Sequence, residues 1–277
     1  MDSLDRGGPV ITTLAVAAMA GSMVLPVESA GRTRRVQVIT PEVSTGAALI
    51  LLHGAGGDHT FMDRTALSAD ARGAGVTLAV PDGTGFFRQG WRAAEGCCGE
   101  ALLWQSDDVA FLDALAAQLR SELGVTTVAV VGFSNGGMLA QRWGCESDAV
   151  DLVVSMAGPL LVPTCDGPPK PVLLAHGLGD ANVPPAGGVG ASGTTYPSTE
   201  DGLAAWRARN RCGAATTRAV GPRVSHTEWA CAAPTHLFEV RRWGHRWPGG
   251  TAAGRLGWDL TAEVLRRLAE QHDGSPR

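Results

Sequence analysis

Short apolar runs alternate with longer amphipathic segments along this chain. The clearest apolar runs cover residues 47–52, 126–131 and 150–156, and each has the length of a strand. Continuous apolar strands are typical of a parallel sheet that is covered on both faces. Amphipathic helices are predicted between them, at residues 106–123 and 135–145. This alternation predicts an α/β protein with a mostly parallel central sheet and helices on both faces.

Weaker patterns complete the outline. Further strands are predicted at residues 34–40, 76–80, 170–175, 224–229 and 236–242, further helices at residues 60–72, 198–210 and 252–271, and a glycine-rich surface loop at residues 187–195. The chain of 277 residues shows no internal repeat and is long enough to bury one large core. We therefore predict a single domain over residues 31–277.

The N-terminal segment has the pattern of a secretory signal. Residues 10–27 form an apolar run, and the small residues Ser29 and Ala30 follow it. Residues 1–30 are therefore predicted to be a signal that is cleaved near Ser29–Ala30, which would make the protein extracellular. The usual positive charge before the run is missing, so a packed or disordered segment is the alternative. A glycine, a serine and a proline interrupt the run and disfavour a permanent membrane anchor.

Charge and cysteine content narrow the class of protein further. A formal net charge of −4, with scattered basic residues, gives no indication of nucleic-acid binding. An even number of cysteines, six, fits a secreted protein with disulfides. Spacing leaves other pairings open, and the pairs that we predict are Cys145–Cys165, Cys212–Cys231 and the adjacent Cys97–Cys98.

A candidate nucleophile follows the strand at residues 126–131. The strand leads into Gly132-Phe133-Ser134-Asn135-Gly136 and then directly into a helical pattern. A Gly-x-Ser-x-Gly sequence between a strand and a helix is typical of a nucleophile elbow, in which a sharp turn exposes the serine hydroxyl. Ser134 is the predicted nucleophile, and the Asn135 N–H is a predicted oxyanion donor. The alternative is a plain strand–helix turn.

A second oxyanion donor is predicted in the loop after the strand at residues 47–52. That strand ends in His53-Gly54-Ala55-Gly56-Gly57, which matches the oxyanion loop of many esterases. Ala55 is our candidate for the donating backbone N–H. His53 stands at the end of the strand, where it is expected to hold the loop by hydrogen bonds. A simple glycine-rich turn is the alternative.

The acid and the base are predicted at two later strand ends. Asp180 follows the strand at residues 170–175, and His245 lies in a glycine-flanked loop after the last strand. Functional groups gather at the carboxyl ends of strands in open α/β sheets. The chain order Ser134, Asp180, His245 is the order found in α/β-hydrolases. The competing histidines are His176, His226, His236 and His272.

Two tryptophans are candidates for substrate binding. Trp91 and Trp247 lie in loops that are expected to meet near Ser134, and Trp247 follows the predicted base by two residues. An aromatic face in such a position can stack on an aryl group, a sugar ring or a polyester segment. The alternative is that both tryptophans only pack loops onto the domain.

Several motifs together resemble the extracellular esterase and polyhydroxybutyrate depolymerase family, which includes feruloyl and acetyl-xylan esterases. They are residues 52–58, 81–83, 107–112, 132–138 and 244–249, Trp91 with Cys97 and Cys98, and His176–Gly177 with Asp180. The resemblance implies an α/β-hydrolase fold, a Ser-Asp-His triad and ester hydrolysis without a cofactor. The chain departs from the family in two respects. It lacks the run of glycines that often precedes the base histidine, here His245. It also lacks the Ser/Thr-rich linker and the separate substrate-binding domain that polymer-degrading members commonly carry.

The expected function is therefore that of a secreted serine esterase, similar to polyhydroxybutyrate depolymerases, acting on short-chain hydroxyalkanoate or on aryl and feruloyl esters. Soluble esters are expected to react faster than solid polymer, because no binding domain holds the chain on a surface. An acyltransferase, a serine peptidase and an esterase of plant polysaccharide are the alternatives. No metal, cofactor, nucleic acid or stable membrane anchor is expected, and the oligomeric state is left open.

Overall fold

The computed structural model describes residues 21–95, 103 and 105–274. Ten strands of this part form one sheet in the order β1-β2-β4-β3-β5-β6-β7-β12-β11-β10, and β8 pairs with β9 separately. The strands are β1 Gly21–Ser29, β2 Arg32–Thr40, β3 Ala47–Leu52, β4 Thr77–Pro81, β5 Thr127–Phe133, β6 Leu152–Met156, β7 Val172–Gly177, β8 Gly188–Val189, β9 Thr195–Tyr196, β10 Ala215–Gly221, β11 Val224–Trp229 and β12 Thr235–Val240.

The centre of the sheet is parallel and its two edges are antiparallel. The six strands β4, β3, β5, β6, β7 and β12 run in one direction, whereas β1 with β2 and β10 with β11 form antiparallel edges. The helices are α1 Met62–Thr65, α2 Leu67–Gly73, α3 Asp108–Leu123, α4 Asn135–Glu146, α5 Thr199–Arg209, α6 Ala253–Leu256 and α7 Leu260–His272, with 3₁₀ turns at His59–Phe61 and Gly250–Ala252. The parallel centre confirms the predicted fold class.

Helices cover the sheet on both faces, as the apolar pattern predicts. β3 shows the reason, because all six of its residues are buried and successive side chains point to opposite faces. Its even-numbered residues pack in one core with α3, α4 and α5. Its odd-numbered residues pack in a second core with α2, α6 and α7. A strand between two cores has no solvated face, which accounts for its continuous apolar sequence.

Two of the predicted helices are interrupted. The helix predicted at residues 60–72 breaks at Ala66, whose φ of 61° is left-handed and separates α1 from α2. The helix predicted at residues 252–271 breaks at Gly257, also with a φ of 61°, where glycine has no Cβ to oppose this conformation. Apolar residues on both sides of each break still face the sheet, so the hydrophobic pattern does not reveal the breaks.

The N-terminal boundary predicted at residue 30 differs from the structure. Residues 21–29 form strand β1, which pairs along its whole length with β2. Leu25 and Val27 of β1 are buried in the core that contains α3, so cleavage at Ser29–Ala30 would remove an edge strand of the sheet. The signal prediction for residues 1–20 lies outside the described residues and stays a prediction. Among the described residues, no helix combines the length and apolar character needed to cross a membrane.

Two of the three predicted disulfides are present. Cys145–Cys165 joins the last turn of α4 to the loop before β7, and Cys212–Cys231 joins the two ends of the β10–β11 hairpin. The sequence separations are 20 and 19 residues, for which the chain-entropy model gives about 3 kcal/mol of stabilisation each. The predicted Cys97–Cys98 pair lies outside the described residues.

Candidate active site

Ser134 stands at a sharp turn between β5 and α4. Its backbone has φ 55° and ψ −121°, which is strained for a residue with a Cβ. Two glycines let the turn close tightly. A Cβ added to Gly132 would lie 2.1 Å from the Gly136 carbonyl oxygen, and one added to Gly136 would lie 2.4 Å from the Leu52 carbonyl oxygen. This is the geometry of the predicted nucleophile elbow.

A chain of hydrogen bonds joins Ser134, His245 and Asp180. His245 Nε2 lies 2.9 Å from Ser134 Oγ, and His245 Nδ1 lies 2.6 Å from Asp180 Oδ2. Because a carboxylate only accepts hydrogen bonds, Nδ1–H donates to Asp180 and leaves Nε2 to accept the serine proton when the imidazole is neutral. The three residues follow β5, β7 and β12. The carboxyl ends of these parallel strands therefore bring together the three side chains predicted to form the triad.

The carboxylate of Asp180 is completely buried. Its Oδ1 accepts the backbone N–H groups of Asn182 and Val183 at 2.9 and 3.0 Å. Burial by itself would raise the pKa of Asp180, but hydrogen bonds from His176, His245 and Val183 outweigh burial and hold the pKa far below its ordinary value. Asp180 therefore stays ionised and can stabilise a protonated His245.

His176 belongs to this network, although the sequence analysis considered it only as a competing base. Its Nε2 lies 2.9 Å from the Val183 carbonyl oxygen and 3.4 Å from Asp180 Oδ2. Its Nδ1 lies 2.7 Å from the Thr199 hydroxyl at the start of α5. The Thr199 hydroxyl can donate to Nδ1, which keeps the proton on Nε2 and directs it towards Val183 and Asp180. The sequence signals for this role were the position of His176 at the end of β7 and its place beside Asp180 in one of the family motifs.

The predicted oxyanion loop lies directly against the nucleophile. A Cβ added to Gly54 would lie 3.3 Å from the Cβ of Ser134. In this loop, Gly56 N–H donates to the Gln89 carbonyl at 2.6 Å and Gly57 N–H donates to Gly54. Among the described residues, no hydrogen bond uses the Ala55 N–H. Asn135 is the first residue of α4, so its N–H has no partner in a preceding helical turn. Both N–H groups are therefore available to an oxyanion, and their role stays a prediction.

His53 holds this loop as expected. Its Nε2 accepts the Gly83 N–H at 3.0 Å, so Nδ1 carries the proton and donates to the Gly54 carbonyl at 2.8 Å. Burial lowers the pKa of His53, which keeps the ring neutral and this tautomer in place. With both ring nitrogens engaged, His53 is a structural residue of the loop.

Trp91 does not contact a substrate site, which corrects the sequence prediction. The residue is completely buried. Its backbone N–H donates to Asn135 Oδ1 at 2.7 Å, its carbonyl accepts from Asn135 Nδ2 at 2.9 Å, and its indole N–H donates to the His53 carbonyl at 2.8 Å. Trp91 therefore ties the oxyanion loop to the first residue of α4. Its location in a loop suggested exposure, but its indole is buried beneath the predicted oxyanion loop, which begins at His53.

Trp247 lines a cavity beside His245. The cavity has a volume of about 520 Å³. Its lining residues are Phe61, Arg64, Phe133, Trp243, His245, Arg246, Trp247, Gly249, Thr251, Ala252 and Arg255. Trp247 is only 7% exposed and donates its indole N–H to the Thr261 hydroxyl. Phe61 meets Trp247 edge to face and stacks on Phe133. Trp247 thus forms part of an aromatic wall, and its contact with a substrate stays a prediction.

Within the described part of the chain, one group of side chains is close enough to share a metal ion: His226, Glu228 and His236. His226 Nε2 and His236 Nδ1 lie 3.0 Å apart and form a hydrogen bond. Burial first, and then the charge of Arg267, lower the pKa of His226 to about 4 and that of His236 to about 2. None of the three lines the cavity beside His245. The expectation that the function needs no metal or cofactor stays a prediction.

Comparisons with known proteins lead to esterases. No family model matches the chain. The chain is 33% identical over 258 residues to "Putative esterase NocK" of Nocardia uniformis subsp. tsuyamanensis. The alignment covers 80% of this chain and 73% of that protein. It is also 32% identical over 132 residues to Feruloyl esterase C of Emericella nidulans, and this alignment covers 46% of this chain and 44% of that protein.

Solved structures share the fold. Acetyl xylan esterase from Aspergillus awamori aligns with a TM-score of 0.60 at 12% identity, covering 80% of this chain and 94% of that chain. The Bacillus cereus carboxylesterase aligns with a TM-score of 0.57 at 15% identity, covering 86% of this chain and 94% of that chain. The fold is that of an α/β-hydrolase. The chain belongs to the esterase family of α/β-hydrolases, whose reaction is the hydrolysis of carboxylic esters.

Proposed function

We propose that this protein is a secreted serine esterase that hydrolyses soluble carboxylic esters through an acyl-enzyme formed on Ser134. The observation that carries this proposal is the unbroken hydrogen-bond chain from Ser134 through His245 to Asp180, at 2.9 and 2.6 Å. A serine hydroxyl is a weak nucleophile by itself, and an adjacent base that is oriented by a carboxylate activates it.

The first half of the reaction transfers the acyl group to the enzyme. His245 Nε2 accepts the proton of Ser134 Oγ as the oxygen attacks the ester carbonyl carbon. The negative charge that develops on the carbonyl oxygen is stabilised by the N–H groups of Ala55 and Asn135. His245 then donates its proton to the alcohol oxygen as the carbon–oxygen ester bond breaks. Asp180 stabilises the transient imidazolium throughout.

The second half of the reaction returns the enzyme to its starting state. A water molecule gives a proton to His245 and attacks the acyl carbon. The Ser134 oxygen leaves with the proton that His245 holds, and the free carboxylic acid departs. Water is therefore the acceptor in the proposed function, and an acyltransferase would differ only in using an alcohol at this step.

The substrate class proposed here is a short-chain hydroxyalkanoate ester or an aryl ester such as a feruloyl ester, in the manner of polyhydroxybutyrate depolymerase-like esterases. The aromatic wall of Phe61, Phe133 and Trp247 supports an aryl or compact apolar group beside His245. The partial match to a feruloyl esterase favours the aryl ester. The cavity volume of about 520 Å³ suits a small ligand.

Secretion is part of the proposal and is supported by the disulfides. Cys145–Cys165 and Cys212–Cys231 would form and persist in an oxidising compartment and are rare in cytosolic proteins. The apolar run before Gly21 agrees with export. Peptide mapping of the mature secreted protein would locate its N-terminus, which we expect to lie before strand β1.

A fluorophosphonate probe tests the nucleophile. We expect the probe to label Ser134 in the wild-type protein and to leave the Ser134→Ala variant unlabelled. Hydrolysis is then compared for 4-nitrophenyl acetate and butyrate, methyl ferulate, hydroxybutyrate trimer and polyhydroxybutyrate film. We expect the soluble esters to react faster than the film. Equal labelling of both proteins, or rapid clearing of film without activity on any soluble ester, would contradict the proposal.

Matched substrates separate the alternatives. An anilide that carries the same acyl group as the ester tests for peptidase activity, and we expect it to react far more slowly than the ester. Added alcohols test for acyl transfer, and we expect free acid to remain the main product at moderate alcohol concentration. Preferential formation of the new ester would identify an acyltransferase.

A further inference from the structure

The cavity beside His245 carries an unusual concentration of positive charge. Three of its eleven lining residues are arginines, Arg64, Arg246 and Arg255, and none of the eleven is acidic. The chain as a whole has a net charge of −4, so the positive charge is a local property of this cavity. Arg64 belongs to α1, Arg246 follows the predicted base, and Arg255 belongs to α6. Three separate segments of the chain thus supply the same type of side chain.

Among the described residues, the three arginines have no carboxylate partner. Within residues 21–95, 103 and 105–274, no ion pair involves Arg64, Arg246 or Arg255. The arginines of α7 behave differently, since Arg266 and Arg267 both pair with Glu263. No ion pair within the described part of the chain therefore compensates the positive charge of these three arginines.

The surroundings strengthen this charge. The guanidinium of Arg246 lies 3.7 Å from the centre of the Trp243 ring, which fixes its position without neutralising it. Phe61, Phe133 and Trp247 form a wall of low polarity in the same cavity. A cleft with charges of one sign and apolar walls concentrates its field on a ligand of opposite sign. All three arginines are exposed, so their guanidinium groups are accessible to a ligand and their charge is screened by salt.

We propose that this cavity binds a carboxylate on the substrate, and that the preferred substrates are monoesters of dicarboxylic acids. The inference rests on the proposed esterase function and specifies its substrate class. A guanidinium matches a carboxylate through two parallel N–H donors, which is why arginine is suited to this recognition. The scissile ester would lie at Ser134, and the free carboxylate at the other end of the acyl chain would lie among the arginines. Aromatic and aliphatic atoms between the two ends would contact the apolar wall.

A pair of esters of equal acyl length tests the inference. We compare kcat/KM for the 4-nitrophenyl monoester of glutaric acid with that of 4-nitrophenyl valerate, and the quantity of interest is the ratio of the two. We expect the wild-type ratio to exceed one, and to fall as salt is added because salt screens the attraction. We expect Arg64→Gln and Arg255→Gln each to lower the ratio about two- to fivefold, the range for single exposed charge pairs.

The matched control is Arg72→Gln. Arg72 is an exposed arginine on α2 that does not line the cavity, so its substitution changes the net charge equally. We expect the ratio for this variant to equal that of the wild type. A fall of the same size in Arg72→Gln would show a general charge effect and would overturn the inference.

Binding to an inactive variant separates this inference from the proposed function. Calorimetry on Ser134→Ala with each ester measures affinity without turnover, and we expect tighter binding of the glutarate monoester. Hydrolysis of the valerate without preference for the glutarate, together with equal binding, would overturn the carboxylate site and leave the esterase intact. Preferential binding of the glutarate by a protein that hydrolyses neither ester would support the site and contradict the esterase function.

Discussion

The half-buried His245, in the loop after β12, and the buried pair of His226 and His236 differ in the charge that faces them. His245 donates to Asp180 at 2.6 Å, and that carboxylate is held ionised by its other hydrogen bonds. His226 and His236 contact each other at 3.0 Å. The nearest carboxylate to this pair, that of Glu228, is 3.9 Å from His236 and is 40% exposed. The charge of Arg267 further disfavours protonation of the pair.

The comparison indicates why His245, and not the buried pair, suits the proposed role of base. Burial alone disfavours the imidazolium and removes the ability to hold a proton at neutral pH, as the lowered pKa values of His226 and His236 indicate. A base must accept a proton in the course of a reaction, which requires a fixed negative charge beside it. Asp180 supplies this charge to His245. The pair on β11 and β12 stays neutral at neutral pH, whereas the proposed mechanism requires His245 to become charged.

Removing the carboxylate of Asp180 is the strongest test of the difference between His245 and the pair of His226 and His236. We expect Asp180→Asn to lower kcat on 4-nitrophenyl butyrate about 10³- to 10⁴-fold, because the amide neither stabilises an imidazolium nor fixes the tautomer of His245. The control is His226→Gln, for which we expect kcat/KM within about twofold of wild type. Circular dichroism checks that both variants are folded. Near-full activity of Asp180→Asn would mean that another acid orients His245.

The pH dependence of stability tests the neutral pair. An unfolded histidine binds a proton near pH 6.5, whereas folded His226, with its pKa lowered to about 4, does not. The unfolded state therefore binds more protons between these values, and stability falls as the pH falls through this window. We expect His226 alone to account for about 3 kcal/mol of lost stability at pH 4.

Urea unfolding at several pH values measures this loss. The comparison is between the wild type and His226→Gln, since other groups also titrate in this range. We expect the variant to show a shallower fall between pH 6.5 and 4. An identical pH dependence in the two proteins would mean that the pair already takes up a proton in the folded state.

The smallest effect is expected at Thr199, which connects His176 to the charged site. Thr199→Val removes the hydroxyl at 2.7 Å from His176 Nδ1, so the His176 proton is no longer directed towards Asp180 by that contact. We expect kcat to fall about fivefold, which corresponds to one neutral hydrogen bond, with KM unchanged. The matched control is Thr217→Val on β10, which removes an exposed threonine–threonine hydrogen bond. A larger change in KM than in kcat would contradict a role through Asp180.

The sequence predicts much of the site because its motifs are local. The Ser134 turn depends on Gly132 and Gly136, and these lie within two residues of it. Asp180 and His245 could be predicted because strand ends of a parallel sheet share one edge, so chain order is sufficient to place them. The strands of the sheet centre were predicted to within a few residues, because an apolar run of strand length is also a local signal.

Features that depend on distant contacts could not be predicted. The burial of Trp91 depends on a partner, Asn135, that lies 44 residues away in sequence. Arg64 and Arg255 line one cavity from the short helices α1 and α6, and the helix breaks after these helices leave no mark on the hydrophobic pattern. Strand β1 was predicted as part of a signal because an apolar edge strand and an apolar signal share a composition.

The positive φ of Ser134 also bears on how the sequence can evolve at this position. Glycine is tolerated at positive φ without the steric cost that serine carries. Replacing Ser134 by glycine should therefore relax the turn and yield a chain that is more stable by roughly 1 kcal/mol, although it could no longer form an acyl-enzyme. Selection for stability alone would favour loss of the serine at this position. The proposed acyl-enzyme role of Ser134 accounts for a strained serine at this position, because the strain itself does not stabilise the fold.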